Sequence, residues 1–192
     1  MSVLRLAAVV LAGSTISLAT TISAGYSAGP PVAKNGGFGG ATCVECHNSF
    51  VENEGKGELT LTGVPDVYVP GDKYDLTVEF VEEGMKKGGF ELSARFAEGD
   101  AAGTKAGALT PVDASVQVFP DRRQNLMTPY AMHTLESGVA PEDGRLSWSV
   151  QWTAPEVGNG PVAFNLAANA GNGDETPTGD YVYVKEITSK AN

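Results

Sequence analysis

Cysteine is scarce in this chain of 192: there are only two. That number excludes a scaffold stapled by several disulfides, and in an exported protein it would by default mean a single bridge. Positive charge is also short, with 13 Lys and Arg against 23 Asp and Glu. A net charge of −10 repels phosphate backbones, so nucleic acid is not expected as a partner. It suits a basic docking patch on another protein, and it equally serves to keep the protein in solution. Long apolar runs are missing. The one apolar stretch near the start, Leu6 to Ala12, is much shorter than a bilayer span, and no other stretch approaches one, so no transmembrane span is expected in the mature chain. There is no Ser-His-Asp grouping, no nucleotide loop and no second redox motif, which points away from an enzyme.

The start of the chain reads as a targeting segment. Met1 to Arg5 carries one positive charge, Leu6 to Ala12 is apolar, and Ile22-Ser23-Ala24 ends the stretch with small residues. Residues 1–24 are therefore expected to be a signal peptide removed on export. Losing Arg5 with it takes the charge from −10 to −11. The expected address is outside the cytoplasm: periplasmic, cell-surface or extracellular.

The two cysteines stand in Cys43-Val44-Glu45-Cys46-His47. C-x-x-C-H is the attachment signature of c-type haem. One helical turn brings the two thiols to one side, where they can meet the two vinyl groups of a porphyrin. His47 follows on the same side and can reach the iron as an axial ligand. Residues 25–57 are thus expected to be an N-terminal segment carrying one covalent haem c through Cys43 and Cys46. Three rivals exist. A thioredoxin-like pair needs a βαβ context, but Gly36 to Thr42 leads into this motif and no strand-helix alternation follows it. Zinc would have to use Cys43, Cys46, His47 and His133 without finger spacing. A Cys43–Cys46 disulfide would close a very tight loop.

The sixth iron ligand is open at this stage. His133 is the only other imidazole, and it leads. Met127 and Met132 are the alternatives, followed by an open or water-bound site. Met85 lies in the charged Glu82 to Gly88 turn and is a poor candidate. His133, after Pro129, is expected in a loop between strands.

From residue 58 the pattern has a period of two. Strands are expected at 58–62, 74–81, 90–96, 115–119, 145–152, 161–168 and 181–185, between clusters of Gly, Pro, Asn and Asp. Gly63 to Gly71 reads as a linking turn, and Gly171 to Asp180 as a hairpin connection rather than a calcium loop. Trp148 and Trp152 share a face and are expected in the core, with a wall beside the haem as the other reading. Seven short strands argue an all-β fold, an immunoglobulin-like antiparallel β-sandwich over residues 58–192.

Several short runs resemble the Reeler domain, the N-terminal module of reelin-type extracellular proteins. They are Gly25-Tyr26-Ser27-Ala28-Gly29-Pro30-Pro31, Trp152-Thr153-Ala154-Pro155, Asn169-Ala170-Gly171-Asn172-Gly173 and Gly179-Asp180-Tyr181-Val182-Tyr183. Bacterial relatives of that domain include some with a C-x-x-C-H near the start and a histidine before the Trp strand, as here. The resemblance implies an immunoglobulin-like fold and export, and no defined reaction. The cysteine pairs that form the disulfides of animal Reeler domains are absent from this chain.

The leading functional expectation is an exported monohaem cytochrome that passes electrons to redox protein partners. The others are a binding or assembly module in which the haem is structural, and a haem sensor. Self-association is a further expectation for such a module.

Overall fold

The computed structural model describes residues 26–122 and 127–192. The expected signal peptide, residues 1–24, lies outside them. The described chain forms ten strands: β1 (Glu58–Thr62), β2 (Val67–Tyr68), β3 (Lys73–Val81), β4 (Lys87–Phe96), β5 (Ala108–Pro111), β6 (Val116–Asp121), β7 (Thr128–His133), β8 (Arg145–Thr153), β9 (Val162–Gly171) and β10 (Tyr181–Ala191). They build a sandwich of two sheets. One has the order β1-β3-β8-β5, the other β2-β10-β9-β4-β7-β6. All pairings are antiparallel except that of β2 with the end of β10, which is parallel. No described helix is long and apolar enough to cross a membrane.

Alternation explains the four-stranded sheet. In β3, Leu76, Val78 and Phe80 point inward, and they pair in register with Val150, Trp148 and Leu146 of β8. Facing them are Phe90, Leu92, Ala94 and Phe96 of β4 and Val162, Phe164, Leu166 and Ala168 of β9. The two layers lock through aromatic pairs. Trp152 meets Phe164 edge-on at 4.8 Å, and Trp148 lies 4.8 Å from Phe90. Both tryptophans are core residues, as expected. Each indole N–H has a partner: Trp152 donates to the Ala106 carbonyl and Trp148 to Ser137 Oγ. Burying one such side chain contributes about 1.5–3 kcal/mol, so this seam accounts for much of the fold.

Residues 26–57 belong to neither sheet. They lie across the outer face of the six-stranded sheet and hold it by polar contacts. The Lys34 amide donates to Glu91 Oε1, and Asn35 donates to Ser93 Oγ and the Asn165 carbonyl. Further on, Phe50 stacks on Tyr181 at 4.3 Å, and the Asn53 amide donates to the Val182 carbonyl. Gly57 ends the segment by donating to Glu82 Oε2 and the Tyr183 hydroxyl. This cover buries outward-facing polar residues of β4 and β9: Glu91, Ser93, Arg95 and Asn165.

Three short strands extend the expected pattern. β2 lies inside the stretch expected to be a linking turn, and β5 and β7 lie between expected strands. The consequential correction is β7: His133 stands at the end of a strand between β4 and β6, not in a loop.

Candidate functional site

The cysteines sit on a single 3-10 turn, Cys43–Glu45. Thr42 caps it, its hydroxyl accepting from the Val44 amide at 3.3 Å. The Cys46 and His47 amides both donate to the Cys43 carbonyl, at 3.2 and 2.9 Å, so thiol, thiol and imidazole follow one another around one turn. The two thiols are not bonded to each other. Cys46 is exposed. Cys43 is half-buried, with its sulfur 3.8 Å from the Lys34 carbonyl oxygen. Burial, and then the nearby Glu91 carboxyl, push the Cys43 thiol up to about 12. It stays protonated at neutral pH, unlike a catalytic thiolate.

His47 is anchored. Its Nδ1 lies 2.7 Å from Asp180 Oδ2, immediately before β10, and the ring remains partly exposed. A carboxylate can only accept, so Nδ1 carries a proton, and Nε2 is the nitrogen left to bind a metal.

His133 is held differently. The β4–β7 ladder contains only the pairs Glu91↔Met132 and Leu92↔Ala131. Where it stops, the His133 ring replaces it: the Phe90 amide donates to Nδ1 at 3.2 Å. The Ser27 backbone is its other hydrogen-bonding neighbour. Space for the ring comes from Gly89, where an added Cβ would lie 2.1 Å from His133 Cε1. Burial holds the imidazole below its ordinary value, so it is neutral, as a metal ligand must be.

The fold therefore brings both histidines to the same end of the six-stranded sheet. His47 binds Asp180, and Asp180 Oδ2 lies 3.5 Å from Asn169 Nδ2. Asn169 is the register partner of Gly89, beside which the His133 ring sits. Buried polar atoms without partners line this region, namely Glu91 Oε2 and Asn169 Oδ1. Of the methionines, Met132 is buried with its sulfur against Gly29, Met127 is half exposed, and Met85 is in the core. Among the described residues, no three His, Cys, Asp or Glu side chains gather as a group for a metal ion.

The donor set fits a covalent haem. Two free thiols share a turn with an imidazole anchored through Nδ1, and a second imidazole stands at the same end of the six-stranded sheet. Asp180, Asn169, Gly89 and Glu91 escape sequence reasoning as site residues: Asn169 and Asp180 stand in the Reeler-like runs, but nothing local ties any of the four to the histidines. Asp180 lies 133 residues from His47, and the docking of residues 47–53 along residues 179–184 brings the two together.

No protein-family model matches the chain, and no curated protein matches it. Among solved structures it is similar to the reeler domain of human F-spondin, with 22% identity and a TM-score of 0.46, covering 73% of this chain and 95% of that one. It is also similar to the Reelin-N domain of F-spondin, with 21% identity and a TM-score of 0.47, covering 76% and 96%. The sixth cohesin of scaffoldin B from Acetivibrio cellulolyticus, solved in complex with a dockerin, has 8% identity and a TM-score of 0.38, covering 66% and 96%.

Proposed function

We propose that the chain is an exported, Reeler-like monohaem c-type cytochrome that transfers electrons and catalyses no reaction of its own. The observation that carries this reading is the 2.7 Å contact between His47 Nδ1 and Asp180, directly after two free thiols on one turn. Bound haem would supply an iron that gains and loses one electron. Cys43 and Cys46 would hold it as thioethers, and His47 would be one protein ligand of its iron. His133 would be the other, because it is the only second imidazole and the fold delivers it to the same edge. Two protein ligands would leave the iron no position for a substrate, which favours electron transfer over catalysis or ligand sensing. The acidic surface, at a net charge of −11 once residues 1–24 are removed, would dock on a basic patch of a redox partner.

A second reading has its own support. No residue of 26–57 contributes to the hydrophobic core. A haem bridging His47 and His133 would bolt that segment to the sandwich, so its role would be structural, within a binding or assembly module.

The test is the protein matured with cytochrome c assembly factors. It should gain the mass of one haem, resist acid-acetone extraction and give a c-type pyridine haemochrome. The reduced protein should not bind carbon monoxide, whereas His133→Ala should keep the haem and bind it. Freely extractable haem in the wild type would sink the proposal. An iron–sulfur charge-transfer band in His133→Ala would move the sixth ligand to Met132 or Met127. A normal rate of electron exchange with other cytochromes separates the first reading from the second.

A further inference from the structure

We propose that Asp180 is the positioning residue of His47: it fixes the proton on Nδ1, presents Nε2 to the iron, and sets how strongly that nitrogen donates. The inference rests on the haem reading given above. Its basis is the geometry around one buried carboxylate. The Asp180 side chain is 4% exposed, while that of His47 is 30% exposed. Oδ2 meets His47 Nδ1 at 2.7 Å, at the short end for a charge-assisted N–H···O bond. Oδ1 accepts from the Asn172 amide at 3.1 Å, and Oδ2 lies 3.5 Å from Asn169 Nδ2. The carboxylate is thus held from two sides besides the imidazole.

The backbone on both sides of this contact is fixed as well. Gly179 donates to Ser49 Oγ at 2.8 Å, Tyr181 stacks on Phe50, and the Val184 amide donates to Asn53 Oδ1 at 3.0 Å. His47 to Asn53 is zipped along residues 179–184, so the ring cannot turn freely. A carboxylate on the far nitrogen raises the basicity of the ligating one and favours the oxidised metal. Asp180 therefore lowers the reduction potential as well as orienting the ring.

The experiment uses the haem-loaded full chain. Asp180→Asn keeps the shape and removes the charge. It should retain covalent, low-spin haem while the potential rises by at least ~59 mV, a tenfold change in a one-electron equilibrium. Asp180→Glu should lie nearer the wild type. Asp174→Ala is the control: it removes the acceptor of the Thr176 amide in the same loop and leaves Asp180 intact, so the potential should hold. Nitrogen-15 NMR of the reduced wild type should find the His47 proton on Nδ1, exchanging slowly. A rapidly exchanging proton there overturns the inference, even if Asp180→Asn does not fold. So does an unmoved potential in Asp180→Asn, or an equal shift in Asp174→Ala. Wild-type protein without covalent haem overturns the haem reading and this inference together, whereas the other failures overturn this inference alone.

Discussion

Gly89 matters for what it lacks. Any side chain there would meet the His133 ring, with Cβ 2.1 Å from Cε1 and 2.5 Å from Nδ1. The ring has nowhere simple to go, because the Phe90 amide and the Ser27 backbone already hold it. Gly89→Ala should therefore destabilise the protein by roughly 1–3 kcal/mol, as overpacking does, measured by urea unfolding. Glu91 supplies a second residue-scale prediction. Burial is the main cause that pushes its carboxyl from an ordinary 4.5 up to about 8, against backbone donors at Lys34 and Ala33 and the charges of Lys34 and Arg95. The folded state thus keeps a proton that the unfolded chain releases. Stability from this group is complete below about pH 4.5, falls as pH rises toward 8, and falls no further above it. Glu91→Gln should flatten that decline. An unchanged slope of unfolding free energy between pH 5 and 8 would contradict the assignment.

Strands β1, β3, β4, β6, β8, β9 and β10 are legible in the sequence because each carries an alternating stretch with one face in the core. β7 is not, for a physical reason. The segment above it and the core below it bury both of its faces, so Thr128–His133 shows little alternation. It also contains Pro129, opposite Pro120 of β6, and proline argues against an inner strand. β2 has two residues and β5 four, too few for a period. The haem motif is legible because its chemistry is local. The surroundings of His47 and His133 are not, since they are set by sheet register across distant strands. The His133 ring caps the truncated β4–β7 ladder, which makes the element testable. In His133→Ala the Phe90 amide loses its acceptor and should exchange with deuterium roughly tenfold faster or more, in line with about 1–3 kcal/mol for a buried donor left unpaired. Amides between β3 and β8 should keep their protection.

At the scale of the molecule, the sandwich is complete without the segment that covers it. The core cluster begins at Leu59 and contains no residue of 26–57. A chain starting at Glu58 should fold, giving a far-ultraviolet circular dichroism spectrum dominated by β-structure and a lower melting temperature than the longer protein. A coil spectrum would show that the segment is needed for folding. The same separation bears on timing. When the segment is seated, the Cys43 sulfur faces the Lys34 carbonyl and sits near Glu91, with its thiol firmly protonated. When it is lifted, both thiols are open to an assembly enzyme. For a chain that acquires haem, maturation is then a race between modification and closure. Any substitution that seats the segment faster, or grips it harder, would lower the yield of modified protein without touching a single ligand.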